Sequence, residues 1–207
     1  MALSALYYPP SHVTVEEYLK FEECSETKNE YADGKIITMS GTSLPHNEVI
    51  GNVYAQMKIA FSGRICRAYF ADIRVKVSAT RYRYPDVIAL CGRPETEDTN
   101  PPSLLNPQVL VEVLSPSTER IDLITKLGEY SGLASITDYI IIAQDRWWVM
   151  HYSRENGGTW TAVFYTQPSD TLNITSINVR MTLAAIYNGV ELSAEPAEEG
   201  DKEPGEA

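Results

Sequence analysis

The sequence lacks several features that mark common classes of protein. Only three of its 207 residues are cysteine, Cys24, Cys66 and Cys91, with no closely spaced pair, so neither a disulfide framework nor a zinc site is indicated. No apolar run approaches the roughly 20 residues that a membrane helix needs. The first ten residues also lack the basic start and apolar core of a signal peptide. We therefore expect a soluble protein that stays in the reducing cytoplasm and has no membrane partner.

Two further absences narrow the chemistry. The sequence has no glycine-rich phosphate loop of the GxGxxG or GxxxxGK type. It therefore does not indicate an enzyme that binds a dinucleotide or a nucleoside triphosphate. It also has no recognisable helix-turn-helix or zinc finger. If the protein recognises a DNA sequence, the recognition must come from its core or from a partner.

The chain also lacks the positive charge that is expected of a nucleic-acid binder. Its formal net charge is −11, of which the segment 191–207, with seven acids and one lysine, contributes −6 and the rest −5. Six basic residues nevertheless fall within twenty positions: Arg64, Arg67, Arg74, Lys76, Arg81 and Arg83. They either form a local positive surface or simply keep strand edges soluble, and the sequence leaves both readings open.

The order of predicted elements indicates a mixed α/β fold. Thr14 and Glu17 form a capping-box pattern that predicts a short helix, and Asp33-Gly34 predicts a hairpin over 29–39. Ser43 and the apolar spacing predict a long helix over 44–61. The remaining predictions are strands over 64–70, 73–77, 81–90 and 108–114, a polar loop over 93–107, a turn and cap at 115–118, a helix over 119–132, a strand over 138–143, a hairpin of 147–152 with 160–165 through a turn at 156–158, strand-like sequence over 171–179 and a closing helix over 181–187.

These elements predict one domain, residues 1–190, followed by an acidic and disordered tail, residues 191–207. Its centre is a mixed β-sheet, partly antiparallel and flanked by helices, with a C-terminal β-hairpin extension. The strand–helix–strand order from 108 to 143 predicts a right-handed parallel crossover. Within the strand 73–77, Ile73, Val75 and Val77 should point inward and Arg74 and Lys76 outward.

Three charged residues are predicted to meet within this core. Glu112 lies in the middle of the apolar strand Val109–Leu114, where a bare carboxylate would cost several kcal/mol. Asp86 opens the preceding strand, and Lys126 lies on the following helix. Two carboxylates with no histidine or cysteine cluster form an all-oxygen site suited to Mg²⁺ or Mn²⁺. Hydrolysis of a phosphodiester is the reaction that most naturally uses such a site, with the lysine orienting the nucleophile or stabilising charge.

Each of these residues also has a structural interpretation. Asp86 could terminate a turn after Pro85, and Glu112 could belong to a structural ion pair. Lys126 could form an ordinary helical pair with Asp122, four residues earlier. Glu30, on the first arm of the hairpin, could pair with a basic neighbour across the strand. The other polar candidates are His46, a polar first-turn residue or a phosphate contact, and Tyr130, which packs or touches the site.

The ordered combination of motifs resembles a known nuclease superfamily. Pro85-Asp86, then Glu112 within the run from Val111 to Thr118, then Lys126-Leu127 and Tyr130 are similar to the PD-(D/E)XK nucleases, and most similar to the Uma-two-type restriction endonuclease family. The likeness runs from about residue 13 to 187 and includes the segments 30–34 and 45–47. It implies a restriction-endonuclease-like core, DNA as substrate and Mg²⁺ dependence.

The resemblance also implies roles for the acidic residues. Asp86 and Glu112 would be direct metal ligands, and Glu30 would be a ligand through water or an auxiliary catalytic residue. The superfamily's lysine belongs two residues after the second acid, where this chain has Leu114. Lys126, reaching the same point from the next helix, is the matching candidate.

Three hypotheses about function follow. The first is a Mg²⁺-dependent DNA endonuclease, which as a homodimer would cut both strands of a duplex more easily. The second is a catalytically impaired module on the same fold that binds nucleic acid or protein, favoured by the acidic charge and Leu114. The third is a metal-dependent hydrolase of another phosphate or sugar substrate, since carboxylate pairs also serve glycoside hydrolysis.

Overall fold

The computed structural model of the chain describes residues 12–39, 41–115, 119–155 and 158–192. Most of the turn and cap predicted at 115–118, part of the turn at 156–158 and the tail beyond residue 192 lie outside the described residues. In chain order the elements are α1 (Val15–Cys24), β1 (Asn29–Ala32), β2 (Lys35–Thr38), α2 (Leu44–Ala60), β3 (Cys66–Phe70), β4 (Arg74–Ser78), β5 (Arg81–Arg83), β6 (Val87–Cys91), β7 (Thr96–Glu97), β8 (Ser103–Leu104), β9 (Val109–Leu114), a π-helix (Ile121–Lys126), α3 (Leu127–Ser131), β10 (Asp138–Ala143), β11 (Val149–Arg154), β12 (Trp160–Tyr165), β13 (Thr171–Ile174), a 3₁₀ turn (Thr175–Ile177), β14 (Val179–Thr182) and α4 (Leu183–Ile186).

The described strands form two six-stranded sheets and a small hairpin. The central sheet has the order β12-β11-β10-β9-β6-β3, and within it only β9 and β10 run parallel. The second sheet has the order β2-β1-β5-β4-β8-β7, and β13 pairs with β14. The fold is therefore mixed α/β with mixed sheets and flanking helices, as the sequence predicts.

The middle of the central sheet, strands β9 and β10, is buried on both faces. Alternate residues of β9 divide between two apolar clusters: Val109, Val111 and Val113 pack with α2, α4 and the β13–β14 hairpin. Leu110 and Leu114 pack on the other face with Tyr130 of α3 and Val75 of β4. All six residues of β9 are buried, which is why this strand reads as a continuous apolar run interrupted by one acid.

The predictions that rest on helix-capping and turn residues are confirmed. Thr14 and Glu17 form the predicted capping box at the start of α1. Ser43 caps α2 by accepting a hydrogen bond from the His46 backbone N–H at 3.3 Å. The hairpin of β1 and β2 turns at Asp33-Gly34, where Gly34 has a φ of 91°, a conformation that favours glycine.

The predicted strand 81–90 is wrong, because it forms two strands in different sheets. β5 ends at Arg83 and pairs with β1 and β4, whereas β6 begins at Val87 and pairs with β3 and β9. Pro85 lies between the two strands and has no backbone N–H to donate to a sheet. The break leaves Asp86 at the entrance to β6.

The predicted outward position of Arg74 is also corrected. Its side chain is buried, because α1 covers this face of the second sheet and sets Tyr18 against it. The guanidinium lies 5.6 Å from the ring centroid of Tyr18 and 5.5 Å from that of Tyr82, and it donates a 2.8 Å hydrogen bond to Ser103 Oγ. Because Arg83 is buried as well, the six clustered basic residues do not share one positive surface.

The expectation that the cysteines indicate no disulfide framework is corrected by one disulfide. Cys66 of β3 and Cys91 of β6 lie opposite each other in the antiparallel register and form a disulfide, while Cys24 is free and exposed. The pairing depends on the strand register, which residue spacing alone does not reveal. The cytoplasmic location, which rested partly on reduced cysteines, stays a prediction.

Two helix predictions need different boundaries. In the segment 119–132, residues 119 and 120 are α-helical and are followed by a π-helix, which has Lys126 as its last residue and continues directly into α3. The closing helix begins at Leu183 rather than at Met181, which belongs to β14. In the described part of the chain, no helix is long and apolar enough to cross a membrane.

Candidate active site

Asp86 and Glu112 lie on the same face of the central sheet. The register of β6 against β9 pairs Val87 with Val111, so one further position places Asp86 opposite Glu112. Asp86 Oδ2 accepts a 2.7 Å hydrogen bond from the Val113 backbone N–H. The two acids that the sequence analysis chose are therefore brought together by neighbouring antiparallel strands.

Lys126 reaches Glu112 from the π-helix. Its Nζ lies 2.9 Å from Glu112 Oε1, 2.9 Å from Asp122 Oδ1 and 3.3 Å from Glu30 Oε1. The helical pair with Asp122 is thus present, but it is buried and forms one of three ion pairs to the same ammonium. Lys126 joins the hairpin, the central sheet and its own helix at one point.

Glu30 enters the site from β1 of the second sheet. Its Oε2 accepts a 2.8 Å hydrogen bond from Arg83 Nη1, and its Oε1 faces Lys126. Arg83 in turn makes a two-bond contact with the Glu129 carboxylate, at 2.8 and 2.7 Å. Glu30 therefore does pair with a basic neighbour, as its structural interpretation required, and it also lies at the site.

The same cluster contains further groups that were not chosen as site residues: Asp122, Tyr130, His46 and the Arg83–Glu129 pair. Tyr130 donates a 2.8 Å hydrogen bond to Glu112 Oε1, the oxygen that also accepts from Lys126. His46 Nε2 lies 2.8 Å from the Val113 carbonyl oxygen and 3.6 Å from Asp86 Oδ2. The position of Asp122, four residues before Lys126, was the sequence signal that could have identified it. Tyr130, four residues after Lys126, had been named as a residue that packs or touches the site, and it does touch it.

Burial and mutual repulsion shift the pKa values of these acids. Burial raises the pKa of Glu112 well above its usual value, although the Lys126 ammonium opposes the shift. Burial also raises the pKa of Asp86. For Glu30, burial is outweighed by the charges of Lys126 and Arg83, which lower its pKa. The cluster thus contains acids whose pKa values are shifted in opposite directions.

The cluster is short of positive charge. Five carboxylates, those of Glu30, Asp86, Glu112, Asp122 and Glu129, surround the two buried cations Arg83 and Lys126. Arg81 also lies 3.6 Å from Glu129, but it is partly exposed and pairs with Asp33. When the five carboxylates, Arg83 and Lys126 are all ionised, five negative charges against two positive ones leave an excess of three. Burial would lower the pKa of Lys126, but Glu112 and its acidic neighbours outweigh burial and hold that pKa well above its usual value. An added cation or proton uptake by Glu112 would reduce the remaining excess.

The acids open into a pocket of about 440 Å³. Its floor includes Glu30, Asp86, Glu112 and Lys126. The described residues that form its walls and mouth are Ile37, Thr38, Met39, Gly41, Thr42, Ser43, His46, Val113, Ser115, Ile121, Asp122 and Gln144. The volume is in the range of small-ligand sites.

The donor set suits a hard divalent cation held partly by water and substrate. Among the described residues, no group of three histidine, cysteine, aspartate or glutamate side chains forms a ready protein cage for an ion. Mg²⁺ does not require one, because one or two carboxylates usually hold it together with waters and substrate phosphate. Glu112 Oε1 and Asp86 Oδ2 are engaged by protein donors, whereas Glu112 Oε2 and Asp86 Oδ1 accept no hydrogen bond from any described residue.

Comparison with known proteins relates this arrangement to a family. A family model described as "Uma2: Putative restriction endonuclease" matches residues 15–185. The chain is 30% identical over 183 residues to "Uncharacterized protein slr1290" of Synechocystis sp., covering 88% of this chain and 95% of that one. It is also 30% identical over 149 residues to "Uncharacterized protein sll1609" of the same organism, covering 72% and 84%.

A solved structure shares the fold. It is described as a putative nuclease belonging to DUF820 from Anabaena variabilis, and it superposes with a TM-score of 0.69 over 84% of this chain and 97% of that one. The sequence identity is 18%, so the likeness shows the architecture alone.

Proposed function

Since the chain belongs to the Uma2 restriction endonuclease family, we propose that it is a Mg²⁺-dependent endonuclease that hydrolyses DNA phosphodiester bonds. One observation carries the proposal: Asp86 and Glu112 meet on one face of the central sheet at a pocket floor, with the Lys126 ammonium 2.9 Å from Glu112. Two carboxylates and an ammonium are the groups that metal-assisted hydrolysis of a phosphodiester uses.

In the proposed mechanism, Asp86 and Glu112 would hold the cation through Asp86 Oδ1 and Glu112 Oε2, which accept no hydrogen bond from a described residue. When bound, Mg²⁺ would neutralise charge on the scissile phosphate and lower the pKa of a coordinated water. Lys126 favours the ionised form of Glu112, because its charge opposes the rise in the pKa of that acid that burial causes. Its ammonium also orients the nucleophile or stabilises the charge that develops on the phosphate.

Two further features support this assignment. Leu114, which occupies the position of the superfamily's lysine, is buried in the apolar cluster next to α3, and Lys126 reaches Glu112 from the helix instead. Glu30 is held by Arg83 and lies 3.3 Å from Lys126, so it acts in this proposal as an auxiliary acid. Tyr130 fixes the rotamer of Glu112 through its hydroxyl.

The test is nicking of supercoiled plasmid DNA with Mg²⁺, with Mn²⁺ and with excess EDTA. We expect cleavage that depends on the divalent ion and falls by at least about a hundredfold in Asp86→Asn and Glu112→Gln. Glu48→Gln, which neutralises an exposed acid on α2, is the matched control and should cut normally. Full activity in both site variants would remove the proposal.

The same assay separates the other hypotheses. DNA binding that ignores both the metal and the two substitutions, without cleavage, would indicate a binding module. Cleavage of small phosphodiesters or glycosides in preference to DNA would indicate a hydrolase of another substrate.

We further propose that the enzyme is a homodimer. The edge strand β12 exposes Val163 and Phe164, and exposed apolar edge strands favour pairing with another chain. Sedimentation equilibrium should give twice the mass of the chain, and Phe164→Lys should shift it to the monomer.

A further inference from the structure

The pocket over the acids has apolar and uncharged walls. Its lining includes Ile37 of β2, the following Met39 and Ile121 of the π-helix. These three side chains keep 36–37% of their surface exposed, although they are apolar. Exposed apolar groups that surround a polar floor mark a binding surface.

Basic residues are missing from the same lining. Within the described residues, Lys126 is the only lysine or arginine that contacts the pocket, and three carboxylates surround its ammonium. Proteins that bind intact duplex DNA through its backbone do so with lysine and arginine side chains that neutralise phosphates. The pocket offers no such contact to an approaching duplex.

The depth of the floor restricts what can reach it. Glu112 is only 4% exposed, so a phosphodiester must enter the pocket to come near its carboxylate. A pocket of about 440 Å³ accepts a ligand of nucleotide size but not a double helix. An unpaired nucleotide can leave the helix and enter, whereas a paired and stacked one must first be separated, which costs a few kcal/mol.

We propose that the pocket takes an unpaired nucleotide, with its base between the Ile37–Met39 wall and Ile121 and its phosphate at the carboxylate floor. Isoleucine and methionine are among the side chains that insert between bases in DNA complexes. The substrate is therefore single-stranded DNA or DNA with a locally unpaired segment. The inference rests on the proposed function for its chemistry but concerns the shape of the substrate.

The experiment compares three forms of one labelled 30-nucleotide strand: single-stranded, fully paired, and paired except for a central bubble. With Mg²⁺ present, we expect kcat/KM for the bubble and the single strand to exceed that for the duplex by about tenfold or more. Cuts in the bubble should map to its unpaired positions. Equal or faster cleavage of the duplex would overturn the inference while leaving the proposed hydrolysis in place.

Variants of the wall connect the preference to the pocket. Ile37→Ser and Ile121→Ser should each reduce the preference for unpaired DNA. Ile124→Ser is the matched control, since Ile124 is 67% exposed on the same π-helix but does not line the pocket. An unchanged preference in both wall variants would contradict the proposed position of the base.

A binding measurement separates failure of the inference from failure of the proposed function. Fluorescence anisotropy of the same three DNA forms is measured with wild-type protein and Ca²⁺. If no DNA is cut under any condition, two results together would support the inference without the hydrolysis. The protein should bind the bubble more tightly than the duplex, and Ile37→Ser should abolish this difference in affinity. Equal binding of all three forms without cleavage would overturn both.

Discussion

Replacing Lys126 with methionine should destabilise the protein strongly. The substitution keeps the length of the side chain but removes the positive charge that lies within 3.3 Å of Glu112, Asp122 and Glu30. All four side chains are buried, so water cannot replace the lost ammonium without opening the site. The variant therefore leaves like charges facing each other in a region of low dielectric.

The size of the effect follows from two limits. At an effective dielectric constant of about 20, each charge pair near 3 Å is worth about 5.5 kcal/mol, and three would total about 16 kcal/mol. That sum is too large, because Glu112 can take up a proton once its cation is gone. Removing one partner of a buried ion pair costs about 3–5 kcal/mol, and we expect a loss in that range.

Urea unfolding followed by circular dichroism measures this loss. With a denaturant slope of about 2 kcal/mol per molar urea, the midpoint should fall by about 2 M. Lys58→Met, which removes an exposed lysine on α2, should change the midpoint little. The double variant Lys126→Met with Glu112→Gln should recover part of the loss. A loss below about 1 kcal/mol in Lys126→Met would refute the view that this ammonium holds the site together.

Three further predictions concern other parts of the structure. Because burial raises the pKa of Glu112, its contribution to stability is present at low pH and is lost as the pH rises, so the unfolding free energy of the wild type should fall more steeply from pH 5 to pH 8 than that of Glu112→Gln. Arg83→Ala should cost about 3–5 kcal/mol in urea unfolding, since it leaves the Glu129 and Glu30 carboxylates buried without their partner, and a loss within experimental error would count against these ion pairs. Alkylation of the denatured protein without reductant should label one thiol, that of Cys24, and three after reduction, as seen by intact mass; three labels without reductant would exclude the Cys66–Cys91 disulfide.

Much of the candidate site could be predicted from the sequence, because its central signal is local. A single acid inside six otherwise apolar residues identifies Glu112 without any knowledge of the fold. The position of Asp86 at the start of the strand next to that of Glu112 was predicted from strand order, and the cap and turn residues set the boundaries of α1, α2 and the first hairpin. Where short-range chemistry decides the structure, the predictions agree with it.

The remaining contacts could not be predicted, because they depend on which surfaces the folded chain covers. Alternation in β4 correctly separated Arg74 from Val75, but only the packing of α1 shows that the side of Arg74 is buried. The helical spacing of Asp122 and Lys126 is the same for a surface pair and for a buried one. Likewise, the disulfide depends on a strand register that no local pattern contains.

Asp86 and Glu112 on the pocket floor and Ile37 in its wall come from different sheets. Asp86 and Glu112 are fixed by the central sheet, whereas Ile37 belongs to the β1–β2 hairpin at the edge of the second sheet. β2 is a largely exposed edge strand, whereas all of β9 is buried. A substitution at Ile37 can therefore change what enters the pocket while the packing that positions Glu112 stays intact.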